Sequence, residues 1–192
     1  MTSPVLRLRL ITPATGPALR EARFYDGRSG LDDSARTRAE TGPRPPDGPA
    51  VRSPGARCRE TVTALGLSGA GEEPALAGLD SGRWRGLTLA EVTATEPEAV
   101  ARWLADPGAA PHGGEPVEHL CLRIGAWLDT LAASGARELT AVVEPDVVRA
   151  VVVRALGAPA SAFWRVDAPP LTLTELTGRP HRWNLRTGRP LG

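Results

Sequence analysis

At 192 residues, with 41% hydrophobic and 23% charged content, the chain is long enough to bury a core and too apolar to be disordered. Its formal net charge of +1 supplies no global field that would draw it to nucleic acid or to an anionic membrane. All 23 basic side chains are Arg, which removes Lys as a nucleophile, Schiff-base former or phosphate ligand.

Val5 to Ile11 alternates apolar and polar residues and then turns apolar, the pattern of a central strand, and Pro13 and Gly16-Pro17 stop it. Asp32 to Glu40 reads as a short polar helix with acidic residues in its first turn. A Pro/Gly-rich loop over Thr41 to Pro49 leads to a brief strand, Ala50-Val51-Arg52, and then to a helix that carries Arg57. Residues 67–75 are small and acidic and read as a surface connection. Thr88 to Leu104 is helical, with Leu89, Val92, Val100, Trp103 and Leu104 available for one face and Pro97 kinking or dividing it. Glu115 to Ala133 has the strongest helical period: Val117, Leu120, Cys121, Ile124, Trp127, Leu128 and Leu131, with Gly135 as its stop. A buried strand over Leu139 to Val143 and a helix over Val147 to Leu156, ended by Gly157, come next. Leu171 to Leu176 and Trp183 to Leu185 are the last strands.

Strands alternate with helices, so the expected fold is α/β: a three-layer α/β/α sandwich around a mainly parallel central sheet, in one domain over residues 1–192. Cys58 and Cys121 lie in helical patterns without metal-ligand spacing and are expected to pack in the core. The five Trp residues are likewise expected to serve packing. With no apolar run long enough for a bilayer and no basic-then-apolar leader, a cytoplasmic address without a membrane partner is expected.

Five segments carry chemical information. Ser53-Pro54-Gly55-Ala56-Arg57 with Thr61 places an Arg at the start of a helix that follows a strand and a turn. Leu76 to Thr88 contains Asp80, Gly82, Trp84 and Gly86-Leu87-Thr88, while Trp103 to Pro107 is followed by His112-Gly113-Gly114-Glu115. Arg123 lies on the long helix, and Val142-Val143-Glu144-Pro145-Asp146 runs on to Arg149 and Gly157. In this order and spacing the segments resemble the histidine phosphatase superfamily, the phosphoglycerate mutase-like proteins, almost from end to end.

The resemblance implies a phosphoglycerate mutase-like fold and a phosphate pocket at fixed positions. In that family a His after the first strand attacks phosphorus and its neighbouring Arg joins a second Arg on the phosphate oxygens. A second His stabilises the transferring group, and a carboxylate protonates the leaving oxygen. Here Ile11-Thr12-Pro13-Ala14 stands where Val-Arg-His-Gly is expected, so Thr12 replaces the first Arg and Pro13 the nucleophile. Gly78 occupies the proton-donor position and Glu144 that of the second His, leaving Arg57 as the member still in place. No His precedes His112, so a small shift of register does not restore a nucleophile.

The expected remnant pocket is therefore Thr12, Pro13, Thr15, Arg57, Gly78 and Glu144. Arg57 either holds an anion or pairs with Glu144; such a pair gains about 4 kcal/mol of Coulomb energy at ~4 Å before desolvation is charged against it. Thr12 and Thr15 either line the pocket or cap the turn. Arg20 and Arg23, with Phe24 and Tyr25, either grip a ligand or form a solvated loop, and His112 is expected to be exposed near the pocket mouth. His119 and His181 have no partner spacing for a metal or a triad, and neither metal nor cofactor is expected.

Three functional readings follow. The first is a catalytically inactive, pseudophosphatase member that binds a small molecule or a protein. The second is a repurposed enzyme using Glu144 and Arg57 in the old cleft. The third is a residual small-metabolite phosphatase of the branch that acts on cobalamin precursors. Oligomeric state is left open.

Overall fold

Leu6, Leu8 and Leu10 of strand β1 (Leu6–Ile11) are essentially inaccessible to solvent, while Arg7 between them is exposed. In the computed structural model, which describes residues 5–67, 69–179 and 181–187, β1 lies inside a six-stranded sheet. The other strands are β2 (Ala50–Arg52), β3 (Gly71–Glu72), β4 (Glu138–Val142), β5 (Leu173–Arg179) and β6 (Arg182–Arg186). Their order is β3-β2-β4-β1-β5-β6. Neighbours from β3 to β1 run parallel, and β5 pairs antiparallel with both β1 and β6.

Two helical layers cover the sheet. Leu8, Leu10, Leu139, Ala141 and Val143 pack with the apolar stripes of α6 (Val117–Ala133) and α7 (Pro145–Ala155). The alternate residues Ile11 and Val142 turn to the other face and meet Cys58, Val62 and Leu65 of the α3 region (α3, Ala56–Ala64). Beyond α3, Ala35 and Ala39 of α2 (Asp33–Thr41) pack on Ala14 and Ala64. Period-two alternation in the strands thus sends successive side chains into two separate cores, as expected of a sheet covered on both sides. This is the α/β/α, mainly parallel architecture expected from the sequence.

The elements differ from the sequence reading where a local constraint intervenes. A single turn, α1 (Pro17–Arg20), follows Gly16-Pro17. The connection over 67–75 contributes the two-residue β3, and a 3-10 turn over Pro74–Leu76 buries Leu76 completely. Pro97 divides the expected helix: α4 (Leu89–Thr95) ends at Glu96, and α5 (Pro97–Ala105) starts with Pro97 in its first turn, where a missing N–H costs nothing. The buried residues of both helices still meet in one cluster with Trp84. Val92, Val100 and Trp103 are buried, but Leu89 and Leu104, expected on the same face, are 41% and 48% exposed. Strand β5 begins two residues later than expected, because Leu171 takes a left-handed φ of 51° that an extended strand cannot contain.

Phe24 and Trp164 join Trp84 and Trp103 of the segment between β3 and α6 in an aromatic cluster. Trp84 meets Phe24 at 5.3 Å and Trp103 at 5.7 Å between ring centroids, and Trp103 meets Trp164 at 4.4 Å. Arg123 of α6 fixes the approach to this region. It forks onto both oxygens of Glu115 at 3.0 and 2.7 Å and donates to the carbonyls of Ala75 and Ala77 at 2.7 and 3.0 Å.

Helix α4 is held at its start by a capping box. The Glu91 amide donates to Thr88 Oγ1 at 3.1 Å, and the Thr88 amide donates to a Glu91 carboxylate oxygen at 2.7 Å. Thr88→Ala is expected to cost about 1 kcal/mol of unfolding free energy, read as a lower urea midpoint at unchanged slope.

Candidate functional site

Strands β1, β2 and β4 end together. Ile11 and Arg52 are both in register with Val142, the Val143 amide donates to the Ile11 carbonyl at 3.0 Å, and the Ser53 amide donates to the Val142 carbonyl at 2.9 Å. Thr12-Pro13, Ser53-Pro54-Gly55 and Glu144 therefore leave the sheet side by side at its carboxyl edge, where open α/β sheets hold their sites.

Gly55 is the turn into α3, and its lack of a side chain is required. A Cβ there would lie 2.7 Å from Glu144 Oε1 and 2.9 Å from the Tyr25 ring and hydroxyl. Two residues on, Arg57 projects back over the strand ends. Its Nε donates to Glu144 Oε2 at 2.5 Å, its Nη2 stands 2.5 Å from the same oxygen, and Cys58 Sγ donates to Oε1 at 3.4 Å. Glu144 is 1% and Arg57 6% exposed, so this is a buried ion pair rather than a surface contact. The Arg57 guanidinium carbon stands 4.0 Å from the centroid of the Tyr25 ring, a cation–π contact.

The electrostatics follow from burial and proximity. Burial raises the Glu144 carboxyl above its ordinary range, and the Arg57 guanidinium opposes that shift. For Arg57 burial acts to lower the pKa, but the Glu144 charge and hydrogen bonds more than reverse it, so the guanidinium stays charged. Asp146, in the first turn of α7, adds a second carboxylate; one of its oxygens accepts from the Leu79 amide at 2.5 Å. The balance here is one cation against two anions, the reverse of what a phosphate dianion requires.

Nucleophiles are equally restricted. Pro13 has no nucleophilic side-chain atom. The Cys58 thiol is held well above its ordinary pKa by burial and by the Glu144 charge, and burial with the same charge raises Tyr25. Each hydroxyl at the strand ends has a backbone partner. Thr12 Oγ1 donates to the Pro169 carbonyl at 2.5 Å and accepts from the Thr172 amide at 3.0 Å. Ser53 Oγ donates to the Leu76 carbonyl at 2.5 Å, and Thr61 Oγ1 accepts from the Ala14 amide at 3.1 Å.

The structure brings Arg57, Glu144 and Gly78 together: a Cβ on Gly78 would be 3.1 Å from Glu144 Cγ. Thr12 is buried but tied to the Pro169–Thr172 segment, the Pro13 carbonyl accepts from the Leu171 amide at 3.4 Å, and Thr15 is half-buried in the following turn. Arg20 is paired with Asp32, and Arg23 holds Glu21 and the Gly86 carbonyl, so both guanidinia are engaged in surface contacts. His112 corrects an expectation. It is 1% exposed, its ring packs 5.0 Å from Trp84, and its Nδ1 accepts from the Gly114 amide at 2.9 Å. The aromatic cluster draws it in, which a Gly-flanked loop position gave no sign of. Tyr25 is the contact that residue-by-residue reading left undecided, since its role depends on a loop returning to α3.

Two surface cavities, of about 260 and 220 Å³, lie at the other end of the sheet, the first beside Arg7 and Glu138 and the second beside Ala50 and Leu67. Among the described residues no group of three or more His, Cys, Asp or Glu side chains is placed to hold a metal ion. No helix among them is long and apolar enough to cross a membrane.

Removing one partner of a buried pair leaves the other charge uncompensated. Arg57→Met is expected to destabilise the protein by about 3–5 kcal/mol near neutral pH, and Arg57→Met with Glu144→Met to recover most of that loss. In the single variant the opposition of Arg57 is gone while burial and the Asp146 charge remain, so the folded pKa of Glu144 rises further above the unfolded one. The deficit is greatest at neutral pH and narrows as pH falls through the raised folded value. Chemical denaturation of the two variants across pH checks both statements. His112 gives the opposite sign. Burial lowers its pKa below the ordinary value near 6.5, so its contribution is present above that value and is lost as pH falls toward the folded one. His112→Gln is expected to flatten this part of the stability profile.

Comparison with known proteins agrees with this architecture. The bifunctional protein Rv2228c of Mycobacterium tuberculosis is 31% identical over 100 residues, which is 50% of this chain but 27% of that protein. An uncharacterised protein of Mycobacterium bovis, Mb2253c, matches to the same extent, so the chain matches only about a quarter of the length of these relatives. Among solved structures, mycobacterial hydrolase 1 superposes with a TM-score of 0.82 at 24% identity, covering 95% of this chain and 97% of the other. Mycobacterial glucosyl-3-phosphoglycerate phosphatase gives 0.80 at 24% identity, covering 94% and 97%. An Escherichia coli protein described as an alpha-ribazole-5'-P phosphatase gives 0.80 at 18%, covering 94% of each chain. These structural likenesses concern the fold. The family model of the histidine phosphatase superfamily, branch 1, matches residues 28–189, a span that begins after Ile11–Ala14. With most of its length matched in this way, the chain belongs to the histidine phosphatase superfamily.

Proposed function

We propose that residues 1–192 form a single histidine phosphatase-like domain that carries out no phosphohistidine chemistry and acts by binding. The observation that carries this reading is the Arg57–Glu144 pair. The family's anion-holding Arg is occupied by an internal carboxylate at 2.5 Å, and the nucleophile position holds Pro13. A phosphomonoester entering here would have to displace Glu144 from Arg57, leave a buried carboxylate beside its own negative charge, and find no side chain to accept the phosphoryl group.

The closed state of the pair favours a protein partner over a small ligand in the remnant pocket. Both charges are almost inaccessible, and Gly55 and Gly78 already pack against the Glu144 side chain. Repurposed acid–base chemistry would need the Glu144 carboxyl to reach a substrate, and both of its oxygens are engaged by Arg57 and Cys58. The phosphatases among the structural neighbours share the fold, at identities too low to transmit an activity.

The test is phosphate release from a generic aryl phosphate, glucosyl-3-phosphoglycerate and alpha-ribazole 5'-phosphate, with intact-mass measurement after alkaline quench to retain any phosphohistidine. The expected rate equals that of an Arg57→Ala preparation, with no phosphorylated protein. Turnover that survives repurification and falls on Glu144→Gln or Arg57→Ala would reject the proposal.

A further inference from the structure

We infer that the Tyr25–Ser29 loop is a built-in stopper that occupies the donors an anion would otherwise meet at the start of α3. This rests on the closed-site reading above and adds the element that keeps the site closed. The nine-residue α3 starts with backbone N–H groups that have no partner within the helix. Here the Ala56 amide donates to the Gly27 carbonyl at 3.1 Å, and the Arg57 amide donates to the Tyr25 hydroxyl at 3.2 Å. Tyr25 in turn donates to the Ser29 carbonyl at 3.3 Å, and its ring covers the Arg57 guanidinium. One loop therefore supplies a hydroxyl, a carbonyl and a π face to the donor set that would line an anion subsite, while Glu144 takes the guanidinium edge.

The loop is tied from within. Phe24, the residue before Tyr25, is anchored against Trp84 and Trp103 at 5.3 and 5.6 Å. Past Tyr25, Asp26 Oδ1 accepts from the amides of Arg28 and Ser29 at 2.9 Å each, and Gly27 takes the φ of 79° that the turn needs. The hydroxyl of Tyr25 is thus delivered to Arg57 by an anchored residue on one side and a closed turn on the other. Gly55 completes the fit, since any Cβ would strike Tyr25 and Glu144 together.

The stopper and the ion pair are separate locks, and this separation makes the inference testable without reference to turnover. In Tyr25→Phe the ring remains and only the hydroxyl is lost, so the Arg57 amide is expected to exchange its hydrogen about tenfold faster while core amides of β4 are unchanged. Titration with inorganic phosphate, followed by NMR shifts of the Ala56 and Arg57 amides, reads the second consequence. Glu144→Gln alone should bind weakly, and Glu144→Gln with Tyr25→Ala at least about tenfold more tightly, the gain expected when uncovered amides and guanidinium donate charge-assisted bonds to the phosphate oxygens. Should Tyr25→Ala not fold, Tyr25→Phe with Glu144→Gln takes its place, with a smaller gain in the same direction. Unchanged exchange at Arg57 in Tyr25→Phe, or equal phosphate affinity with and without the Tyr25 change, overturns the inference. Either result leaves the absence of phosphohistidine chemistry standing, because neither experiment measures it.

Discussion

A guanidinium and a carboxylate buried against each other at the carboxyl edge of the sheet set the character of this molecule. The pair draws Arg57 inward over the strand ends, fixes Glu144 at the start of α7, and holds Cys58 in contact with the same carboxylate. Its cost in desolvation is offset by the close geometry, by the bond from Cys58 to the second carboxylate oxygen and by the Tyr25 ring over the guanidinium. Around it the chain has removed obstacles: Gly55 and Gly78 carry no side chain where one would meet Glu144. The same arrangement leaves one positive and two negative groups where the superfamily's chemistry calls for concentrated positive charge.

Much of the architecture was legible in the sequence because it rests on periodicity. The stripe from Val117 to Leu128 and the alternation of Leu6, Leu8 and Leu10 are direct readings of which face is buried. What periodicity handled poorly is the point where a backbone constraint overrides it. Pro97 divided one expected helix into two, leaving Leu89 and Leu104 exposed, and the left-handed Leu171 delayed β5. The two-residue β3 is too short to carry any periodic signal and exists because β2 offers it a parallel edge.

The site divides along a similar line. Glu144, Pro13 and Gly78 stand out in the sequence because a motif frames them, and the substitutions are visible as departures from it. For His112 the motif gave a position but no sign of burial, and Tyr25 has no such frame. His112 is buried by an aromatic cluster assembled from Phe24, Trp84, Trp103 and Trp164, residues spread over most of the chain. Tyr25 acquires its partners only when the loop that carries it returns to α3, 32 positions further on. Tertiary proximity between distant segments decides both, and neither residue's neighbours in sequence encode it.

The Thr12 hydroxyl is bonded to atoms of residues 157 and 160 positions away, at the entrance to β5. That tie concerns the order in which the chain can become native. While the polypeptide is being synthesised, the turn after β1 has no partner for its hydroxyl, and Arg57 waits for a carboxylate 87 positions downstream. Contacts of such long range close large loops and are assembled late. Until Glu144 is made, this edge of the nascent sheet carries an unpaired cation, and until the segment before β5 is made the Thr12 hydroxyl lacks its partner, so the two ties become available in that order.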